Sequence, residues 1–303
     1  MKYIVTGGAG FIGSNLVDIL IEDGHDVDVI DNFSTGNKEN CNVKARYFEL
    51  DLSLESNFEE LKKIVKGSDG IFHLAALPRV QQSIENPFLF EKNNTLSTVN
   101  ILKAGSTVGV KRIVYSSSSS VYGNTNKLPF EEDDPVNPIS PYATQKYYGE
   151  VCCRMFANIF NIETVSLRYF NVYGERQSLD GAYALVMCAF AKQRLLNQPL
   201  TIRGDGEQRR DFTYVKDVAR ANLLAMNSNL VGVGEVINIG NGNNRSVNQI
   251  AKMFGGPTIN IEPVVEPRET LANNNKAREI LNWQPQKNIE EWIPNYKKDL
   301  GIQ

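Results

Sequence analysis

The glycine-rich turn near the start of the chain is the feature that most restricts the possible folds. An apolar, β-prone run at residues 2–6 leads into this turn, and residues 14–22 place apolar side chains at helical spacing. The glycines are Gly7, Gly10 and Gly13. A strand, a glycine turn and a helix in this order are typical of a pyrophosphate-binding unit, because positions without side chains let phosphates reach backbone N–H groups. A plain tight turn is the alternative interpretation.

Short apolar strands continue to alternate with helical stretches along the N-terminal half. Further strands are predicted at residues 27–30, 47–50, 70–74, 112–116 and 163–168. Strands that are separated by helices run parallel to one another and are covered on both faces. We therefore predict an α/β protein with a Rossmann-type doubly wound parallel sheet.

Beyond Tyr173 the pattern becomes less regular, which indicates a smaller α/β C-terminal substrate domain. A helix near residues 182–197 and a strand at residues 200–203 are predicted there. A helix at 218–226 and a strand at 236–239 resemble a return to the first domain. We expect a dinucleotide-binding domain of residues 1–170 with 217–240, and a substrate domain of residues 171–216 with 241–303.

Composition restricts the classes of function. The 303 residues are 42% hydrophobic and 22% charged, as in an ordinary soluble protein. The net charge of −3 lacks the basic excess of a nucleic-acid binder. No apolar stretch approaches the ~20 residues of a transmembrane helix, and the N-terminus lacks the apolar region of a signal peptide. We expect a cytoplasmic protein with neither a membrane nor a nucleic-acid partner.

The cysteines and histidines argue against several kinds of site. The four cysteines show no C-x-x-C spacing and are interpreted as reduced thiols. With two histidines, His25 and His73, a histidine-based metal site or a Ser-His-Asp triad has too few candidate residues. No metal is expected.

Asp31 indicates which dinucleotide is bound. It ends the second predicted strand, where a carboxylate can accept hydrogen bonds from an adenosine ribose. Such a carboxylate would repel a 2′-phosphate, and the residues that follow include no arginine to hold one, so we expect NAD rather than NADP. Asp51 and Leu52 are candidates for adenine contact, with an N-cap role for Asp51 as the alternative. The cofactor residues expected in this region are Gly7, Gly10, Phe11, Ile12, Gly13, Asp31, Asn32, Asp51 and Leu52.

A tyrosine and a lysine form the candidate reacting pair. Tyr142 and Lys146 lie one helical turn apart, so the ammonium can approach the phenol and favour its ionised form. Free tyrosine has a pKa of about 10, and the lysine together with a positively charged nicotinamide ring is expected to lower it. An exposed helix face is the alternative for the pair alone. A serine run at residues 116–120 follows a predicted strand at the edge of the sheet and can direct a hydroxyl toward a substrate oxygen.

Several segments occur in an order that resembles a known family. Besides the glycine turn, they are His73-Leu74-Ala75-Ala76, Asn94, the serine run with Val121-Tyr122-Gly123, Tyr142 with Lys146, residues 167–174, and Arg210-Asp211-Phe212. Together they resemble the extended short-chain dehydrogenase/reductases, and specifically the nucleotide-sugar epimerases of the UDP-glucose 4-epimerase type. The resemblance spans nearly the whole chain.

This resemblance implies a role for each matching residue. Tyr142 would be the catalytic base and acid, Ser118 would hydrogen-bond the sugar O4, and Lys146 would bind the nicotinamide ribose and tune the phenol. Asn94 would position the cofactor end of the site. The remaining cofactor residues that the resemblance implies are Leu74, Ala75 and Ala76.

The substrate residues are also taken from the resemblance. They are Ser83, Ser118, Asn171, Arg210, Arg268 and Thr270. Asn171 and Arg210 match positions that hold the nucleotide diphosphate, where a guanidinium fork suits phosphate oxygens. A surface ion pair of Arg210 with Asp211 or Asp205 is the alternative.

The implied reaction is the NAD-dependent 4-epimerisation of a UDP-hexose through a 4-keto intermediate, with hydride returned to the opposite face. Related sugar 4,6-dehydratases carry an Asp-Glu pair inside the serine segment, where this chain has Ser119 and Ser120. This departure argues against dehydratase chemistry. A reductase or a decarboxylase remains an alternative, as does a non-catalytic dinucleotide-sensing module, which would not need the reactive residues.

Two segments bear on the sugar. Residues 75–87, which include Ser83, resemble the version found in epimerases that accept N-acetylated or larger hexoses. Thr270 stands where a bulky tyrosine restricts the pocket in glucose-only members, so UDP-N-acetylglucosamine is expected beside UDP-glucose. The sequence around Arg268 departs from the common Arg-x-Gly-Asp pattern, which weakens the phosphate role of this arginine.

The resemblance also implies a homodimer. It would form through helices that cover roughly residues 97–109 and 142–160. The apolar residues expected on the surface of the second helix are Tyr147, Val151, Met155 and Phe156. Packing into the protein's own core is the alternative for these residues.

Overall fold

Strands and helices alternate along the chain, as the sequence periodicity predicts. The structure, a computed structural model, describes residues 1–125, 127–178, 186–263 and 266–302. Within these residues the strands are β1 (Lys2–Thr6), β2 (Asp26–Asp31), β3 (Arg46–Glu49), β4 (Gly70–His73), β5 (Arg112–Ser118), β6 (Glu163–Tyr169), β7 (Val172–Tyr173), β8 (Leu200–Arg203), β9 (Arg209–Asp211), β10 (Thr213–Tyr214), β11 (Val233–Ile239), β12 (Asn244–Ser246) and β13 (Thr258–Ile261). The α-helices are α1 (Phe11–Glu22), α2 (Phe58–Val65), α3 (Val80–Glu85), α4 (Pro87–Glu91), α5 (Ser97–Val108), α6 (Pro141–Phe160), α7 (Val186–Leu195), α8 (Val215–Asn227), α9 (Val247–Phe254), α10 (Asn275–Leu281) and α11 (Ile289–Asp299).

The main sheet is parallel and doubly wound. In the described part of the chain it has seven strands in the order β11-β6-β5-β4-β1-β2-β3. All neighbouring pairs are parallel. The chain places β2 and β3 on one side of β1 and then begins the other side with β4, so the strand order reverses between β1 and β4. The predicted Rossmann-type fold is confirmed, and the carboxyl ends of β1 and β4 form the crevice where such sheets bind ligands.

Apolar residues cover both faces of the sheet, as a parallel sheet requires. One cluster contains side chains of α1 and α8, including Leu16 and Val218. The other contains side chains of α2, α5 and α6, including Leu61 and Ile101. Phe156 belongs to this second cluster and is 4% exposed, so its predicted place on the surface of α6 is wrong. Helix α6 packs on the sheet along a wider face than its sequence pattern indicates.

The C-terminal region adds smaller sheets to this frame. The remaining described strands pair as β7 with β10, β9 with β12, and β8 with β13. Helix α8 packs against α1, and β11 pairs with β6, so the chain returns to the main sheet as expected. The predicted helix near residues 182–197 is observed as α7, while residues 182–185 lie outside the described part. The limits of the two domains stay a prediction.

Helix α6 begins and ends where its sequence indicates. The Ser140 side chain caps the helix by accepting a hydrogen bond from the Ala143 N–H at 3.2 Å, and Pro141 occupies the first turn. Asn161 ends the helix in the left-handed conformation with a φ of 53°. These local signals fix where Tyr142 and Lys146 lie relative to the sheet.

None of the helices in the described residues is both long enough and apolar enough to cross a membrane. The same part of the chain contains no group of three or more His, Cys, Asp and Glu side chains that could hold a metal ion.

Candidate active site

The turn between β1 and α1 leaves no room for side chains. Gly7 has a φ of +70°, and a Cβ there would lie 2.8 Å from a backbone nitrogen just after β4. A Cβ at Gly13 would lie 2.2 Å from the Gly7 carbonyl oxygen. Gly10 is the N-cap of α1, and no described side chain caps this helix. The N–H groups of Phe11 and Ile12 have no partner within the helix and can bind an anion, so this cradle fits a pyrophosphate.

Asp31 is held by backbone groups beside the glycine turn. Its Oδ2 accepts a hydrogen bond from the Ala9 N–H at 3.0 Å, and its Oδ1 accepts one from the Phe33 N–H at 2.8 Å. A carboxylate has about four acceptor positions, so Asp31 retains capacity for ribose hydroxyls. The neighbouring Asn32 accepts a hydrogen bond from the Ser34 N–H at 3.0 Å and closes a local turn. This arrangement fits NAD.

Asp51 and Leu52 follow β3 and make local contacts. Asp51 Oδ1 accepts hydrogen bonds from the N–H and the hydroxyl of Ser53, at 2.9 and 2.6 Å. Leu52 is buried, and its carbonyl accepts a hydrogen bond from Asn100 Nδ2 at 2.8 Å. Asp51 therefore closes a local turn, and the alternative of an N-cap role is wrong, because the helical segments that follow begin after Leu54 and Asn57. Adenine contact by these residues stays a prediction.

A buried histidine connects the end of β1 to the segment after β4. The Thr6 hydroxyl oxygen accepts the N–H groups of Leu74 and Ala75, at 3.2 and 3.1 Å, and lies 2.8 Å from His73 Nδ1. Because both acceptor positions of this oxygen are used, its proton points to Nδ1, and His73 carries its own proton on Nε2. Nε2 lies 3.1 Å from Thr98 Oγ1. Burial lowers the pKa of His73 to about 3, so the ring is neutral at physiological pH.

Asn94 connects this region to helix α6. It lies in a π-helical turn, Lys92–Leu96, which directs its side chain into the protein. Its Oδ1 accepts the Leu77 N–H at 2.7 Å, and its Nδ2 donates to Gln145 Oε1 at 2.9 Å. Gln145 precedes Lys146, so Asn94 supports the helix that carries the reacting pair. Contact of Asn94 and the half-buried Ala76 with NAD stays a prediction.

The three predicted catalytic residues meet where β5 ends. The Ser118 side chain lies beside the Tyr142 phenol and favours its ionised form. Lys146 Nζ donates to the Ser116 carbonyl at 2.7 Å. Tyr142 and Lys146 are both buried, so the alternative of an exposed helix face is wrong. The reacting groups lie at the carboxyl edge of the sheet, with β4 between their strand and the strand of the glycine turn.

Burial controls the ionisation of the pair. It raises the pKa of Tyr142 to about 12, although the neighbouring Ser118 side chain acts in the opposite direction. It lowers the pKa of Lys146 to about 8. Lys146 Nζ lies 5.9 Å from the centroid of the Tyr142 ring and is directed at a carbonyl oxygen. Desolvation therefore dominates in the protein by itself, and the lowering that Lys146 and an oxidised nicotinamide would produce together stays a prediction.

Two other serines lie near these residues. Ser83 is fully buried, donates to the Val80 carbonyl at 2.6 Å, and accepts the Tyr142 N–H at 3.2 Å. It fixes the first turn of α6, and its contact with substrate stays a prediction. Ser120 Oγ is buried and has no hydrogen-bond partner among the described residues. A buried hydroxyl without a partner so close to Ser118 indicates a place for a polar ligand group.

Two of the predicted substrate arginines lie next to each other and are paired with carboxylates: Arg210 lies on β9, and Arg268 lies beside that strand. Arg210 Nη2 lies 2.7 Å from Glu266 Oε2, and Arg268 makes two hydrogen bonds of 2.8 Å with Asp205. Asp205, Glu266 and Arg268 line a cleft of about 300 Å³. The alternative partners of Arg210 are wrong, because Asp205 is occupied by Arg268 and the carboxylate of Asp211 binds backbone N–H groups.

Asn171 and Thr270 contact each other beside the buried Asp211. Thr270 Oγ1 accepts hydrogen bonds from Asn171 Nδ2 and from the Asp211 N–H, both at 3.3 Å. Burial raises the pKa of Asp211 to about 6, against the lowering effect of its hydrogen bonds. The N–H groups that the carboxylate accepts are those of Asn241, Gly242 and Ala272, at 2.7, 2.9 and 3.0 Å. Contact of Asn171 and Thr270 with substrate stays a prediction.

Sequence reasoning missed a buried ion pair beneath the catalytic residues. Arg168 Nε and Nη2 donate to the Glu150 carboxylate at 2.9 and 2.8 Å. Glu150 also accepts a hydrogen bond from the Ser117 hydroxyl. A signal was present in the sequence, because Glu150 lies one helical turn after Lys146 and two after Tyr142, on the same face of the helix.

Known proteins share this arrangement over nearly the whole chain. Residues 3–240 match the NAD dependent epimerase/dehydratase family. A putative UDP-glucose 4-epimerase of Methanocaldococcus jannaschii is 41% identical over 297 residues, which cover 96% of this chain and 95% of that protein.

Two solved structures are also similar. A UDP-N-acetylglucosamine 4-epimerase from Methanobrevibacter ruminantium M1, in complex with UDP-N-acetylmuramic acid, has a TM-score of 0.92 and 34% identity and covers 98% of this chain and 97% of its own. A UDP-glucuronic acid 4-epimerase from Bacillus cereus, in complex with UDP-glucuronic acid and NAD, has a TM-score of 0.90 and 33% identity and covers 99% of this chain and 100% of its own.

Proposed function

This chain belongs to the NAD-dependent epimerase/dehydratase family and is an NAD-dependent nucleotide-sugar 4-epimerase, and we propose that Ser118, Tyr142 and Lys146 carry its reaction on a UDP-hexose. The observation that carries this proposal is the convergence of Ser118, Tyr142 and Lys146 in a buried site at the carboxyl edge of the sheet. The partnerless Ser120 hydroxyl next to it supports a polar ligand at this place.

The cofactor residues are those of the crevice between β1 and β4. The glycine turn and the first turn of α1 would hold the pyrophosphate, and Asp31 the adenosine ribose. The unfavourable charge of Asp31 toward a 2′-phosphate supports NAD over NADP. When bound, NAD supplies a hydride acceptor that can return the hydride to the sugar.

Tyr142 would move the proton of the reaction. Its phenolate accepts the proton of the C4 hydroxyl as the C4–H bond breaks, and the phenol returns a proton when the 4-keto sugar is reduced on its other face. Ser118 would donate a hydrogen bond to O4. Because the phenol pKa is about 12 in the protein by itself, the charge of Lys146 and that of the oxidised nicotinamide would have to favour the phenolate.

We propose that the substrates include UDP-glucose and UDP-N-acetylglucosamine. Thr270 is small and its hydroxyl accepts a hydrogen bond from Asn171, which supports the proposal that the pocket has space for an N-acetyl group. One relative with this fold is a UDP-N-acetylglucosamine 4-epimerase, and another acts on UDP-glucuronic acid. Arg210 would bind the diphosphate, and the exposed Arg268 would join it at the mouth of the cleft.

Purification without added cofactor tests the proposal. We expect bound NAD in the purified protein and interconversion of both nucleotide sugars with their C4 epimers, followed by NMR. Epimerisation of UDP-glucose without any of the acetylated sugar would contradict the substrate proposal. Tyr142→Phe should lower kcat by on the order of 10²- to 10⁴-fold with substrate binding retained. Tyr148→Phe, on the exposed face of the same helix, is the matched control and should be fully active.

We also propose that the chain forms a homodimer through α5 and α6. A stripe on α6 is exposed, with Tyr148, Val151, Met155 and Ile159 at 43, 44, 40 and 66% exposure, and it differs from the predicted set because Tyr147 is half-buried and Phe156 is in the core. Val151→Glu should give a monomer in sedimentation experiments. Val43→Glu, at a site 98% exposed elsewhere on the surface, should remain dimeric. A monomeric wild-type protein would contradict the proposal.

A further inference from the structure

Three consecutive residues at the end of β5 meet one face of α6. Ser116 and Ser117 are hydrogen-bonded to Lys146 and Glu150, and Ser118 lies beside Tyr142. The three partners on α6 follow one another at intervals of one helical turn and therefore share a face. Two of these contacts belong to the proposed reaction. The central contact, between Ser117 and Glu150, does not involve a reacting group.

Arg168 holds the carboxylate of this central contact in one orientation. It pairs with Ser117 across β5 and β6, and it binds both oxygens of Glu150. The side chains of Arg168 and Glu150 are 3% and 2% exposed. The guanidinium is itself fixed, because its Nη1 donates to the Glu132 carbonyl at 3.2 Å and its centre lies 4.6 Å from the centroid of the Tyr122 ring.

The ion pair between Arg168 and Glu150 therefore connects β5, β6 and α6. Glu150 Oε1 accepts both the Ser117 hydroxyl and Arg168 Nε, so rotation of the carboxylate would break one of these bonds. A buried pair with this geometry resists sliding of α6 along the strand end. Ser118 is the very next residue, and its approach to Tyr142 depends on that alignment. A displacement of about 1 Å at reacting groups can lower a rate on the order of 10²-fold.

We propose that Glu150, held by Arg168, is a positioning residue that sets the alignment of α6 on β5 so that Ser118 meets Tyr142. This inference rests on the proposed catalytic roles of Ser118 and Tyr142. Glu150 acts through Ser117 and not on the sugar, so its loss should affect the chemical step more than substrate binding.

Two variants test the inference without leaving a buried charge unpaired. Ser117→Ala removes the contact to the strand and keeps the ion pair. The double variant Glu150→Gln with Arg168→Met removes both charges together, because breaking one half of a buried pair strongly destabilises a fold. In both we expect kcat to fall roughly ten- to a hundredfold while KM stays within about twofold.

The pH profile gives a second readout that a purely structural role would not change. The Ser118 side chain lowers the pKa of Tyr142, so weakening their interaction raises that pKa. The acid limb of the kcat profile should therefore move to higher pH in both variants.

The other end of the same two strands provides the matched control. Arg112 on β5 lies 2.6 Å from Glu163 on β6, and the arginine side chain is 6% exposed. Glu163→Gln should lower the melting temperature but leave kcat and its pH profile unchanged.

Each outcome separates this inference from the proposed function. Wild-type kcat in both Ser117→Ala and the double variant, with Tyr142→Phe inactive, overturns the positioning role and keeps the catalytic assignment. Activity in Tyr142→Phe overturns the catalytic assignment. An equal loss of kcat in Glu163→Gln would show that any lost ion pair slows the reaction and would also overturn the inference.

Discussion

The proposed cofactor end and the proposed nucleotide end of this protein are built from different kinds of contact. At the cofactor end, the backbone of the glycine turn packs against the backbone of the segment after β4. An added Cβ at Gly7 would lie 2.8 Å from the Ala75 nitrogen. At the proposed nucleotide end, Arg210 is paired with Glu266 and Arg268 with Asp205, and Glu266, Asp205 and Arg268 line a cleft. A backbone cradle has one shape, whereas an ion pair between side chains can open and exchange its partner.

This difference matches the proposed use of the two ends. NAD undergoes no net change in an epimerisation and can remain bound, so a rigid cradle is suitable. The nucleotide sugar must enter and leave at each turnover. Arginines that exchange a carboxylate of the protein for a diphosphate of the substrate suit that requirement, because neither the empty nor the loaded form leaves them unpaired.

The rigidity of the cofactor end predicts the largest effect. Gly7→Ala should abolish NAD retention and lower activity by more than about 10²-fold, because the methyl group collides with the segment after β4. Gly24→Ala is the matched control, since Gly24 has a similar φ of +78° but no atom within 4 Å of its added Cβ. Both variants carry the same backbone strain. The amount of NAD released on denaturation distinguishes the two variants. A Gly7→Ala protein that still contains NAD would contradict the prediction of a rigid cofactor end.

The next prediction concerns the buried carboxylate of the nucleotide end. The pKa of Asp211 is about 6 in the folded protein and 3.8 in the reference state, so the folded chain binds this proton more tightly. The free energy of unfolding should therefore decrease as the pH rises from about 4 to 6, by roughly 3 kcal/mol from this group. Asp211→Asn should lack this decrease in urea titrations at several pH values. Parallel curves for the variant and the wild type would refute it.

A smaller effect is expected at Arg210, the arginine proposed to bind the diphosphate. Arg210→Gln should raise KM for the nucleotide sugar on the order of tenfold or more, because a charged hydrogen-bond donor is lost. The NAD content should not change, since this arginine lies away from the glycine turn. Arg210→Lys keeps the charge without the fork and should be intermediate. A loss of NAD in Arg210→Gln would show that the two ends are not independent.

The smallest effect is expected at Glu266, the carboxylate that would compete with the substrate diphosphate for Arg210. Glu266→Gln removes the partner of Arg210 and should lower KM by about threefold, with kcat unchanged. Glu290→Gln is the matched control, because Glu290 is paired with Arg245 at a similar exposure outside the cleft. Steady-state kinetics at fixed ionic strength measure both. An unchanged KM in Glu266→Gln would mean that the ion pair does not oppose binding.

Local features of the chain were predictable. The glycine turn, the alternation of strands and helices, and the cap at Ser140 depend on neighbours in sequence. The spacing of Tyr142 and Lys146 is also local, and it placed both residues on one face of a helix. Glu150 lies on the same face and could have been included, but its role depends on Arg168, which comes from another strand.

Other properties follow from contacts between distant segments and from exclusion of water. The partner of Arg210 is Glu266, because Asp205 is paired with Arg268 and the carboxylate of Asp211, on β9, binds backbone N–H groups. The raised pKa of Tyr142 comes from burial, which spacing along a helix does not reveal. Periodicity therefore reports which residues share an element, whereas charge pairing and desolvation arise only when the elements have packed against one another.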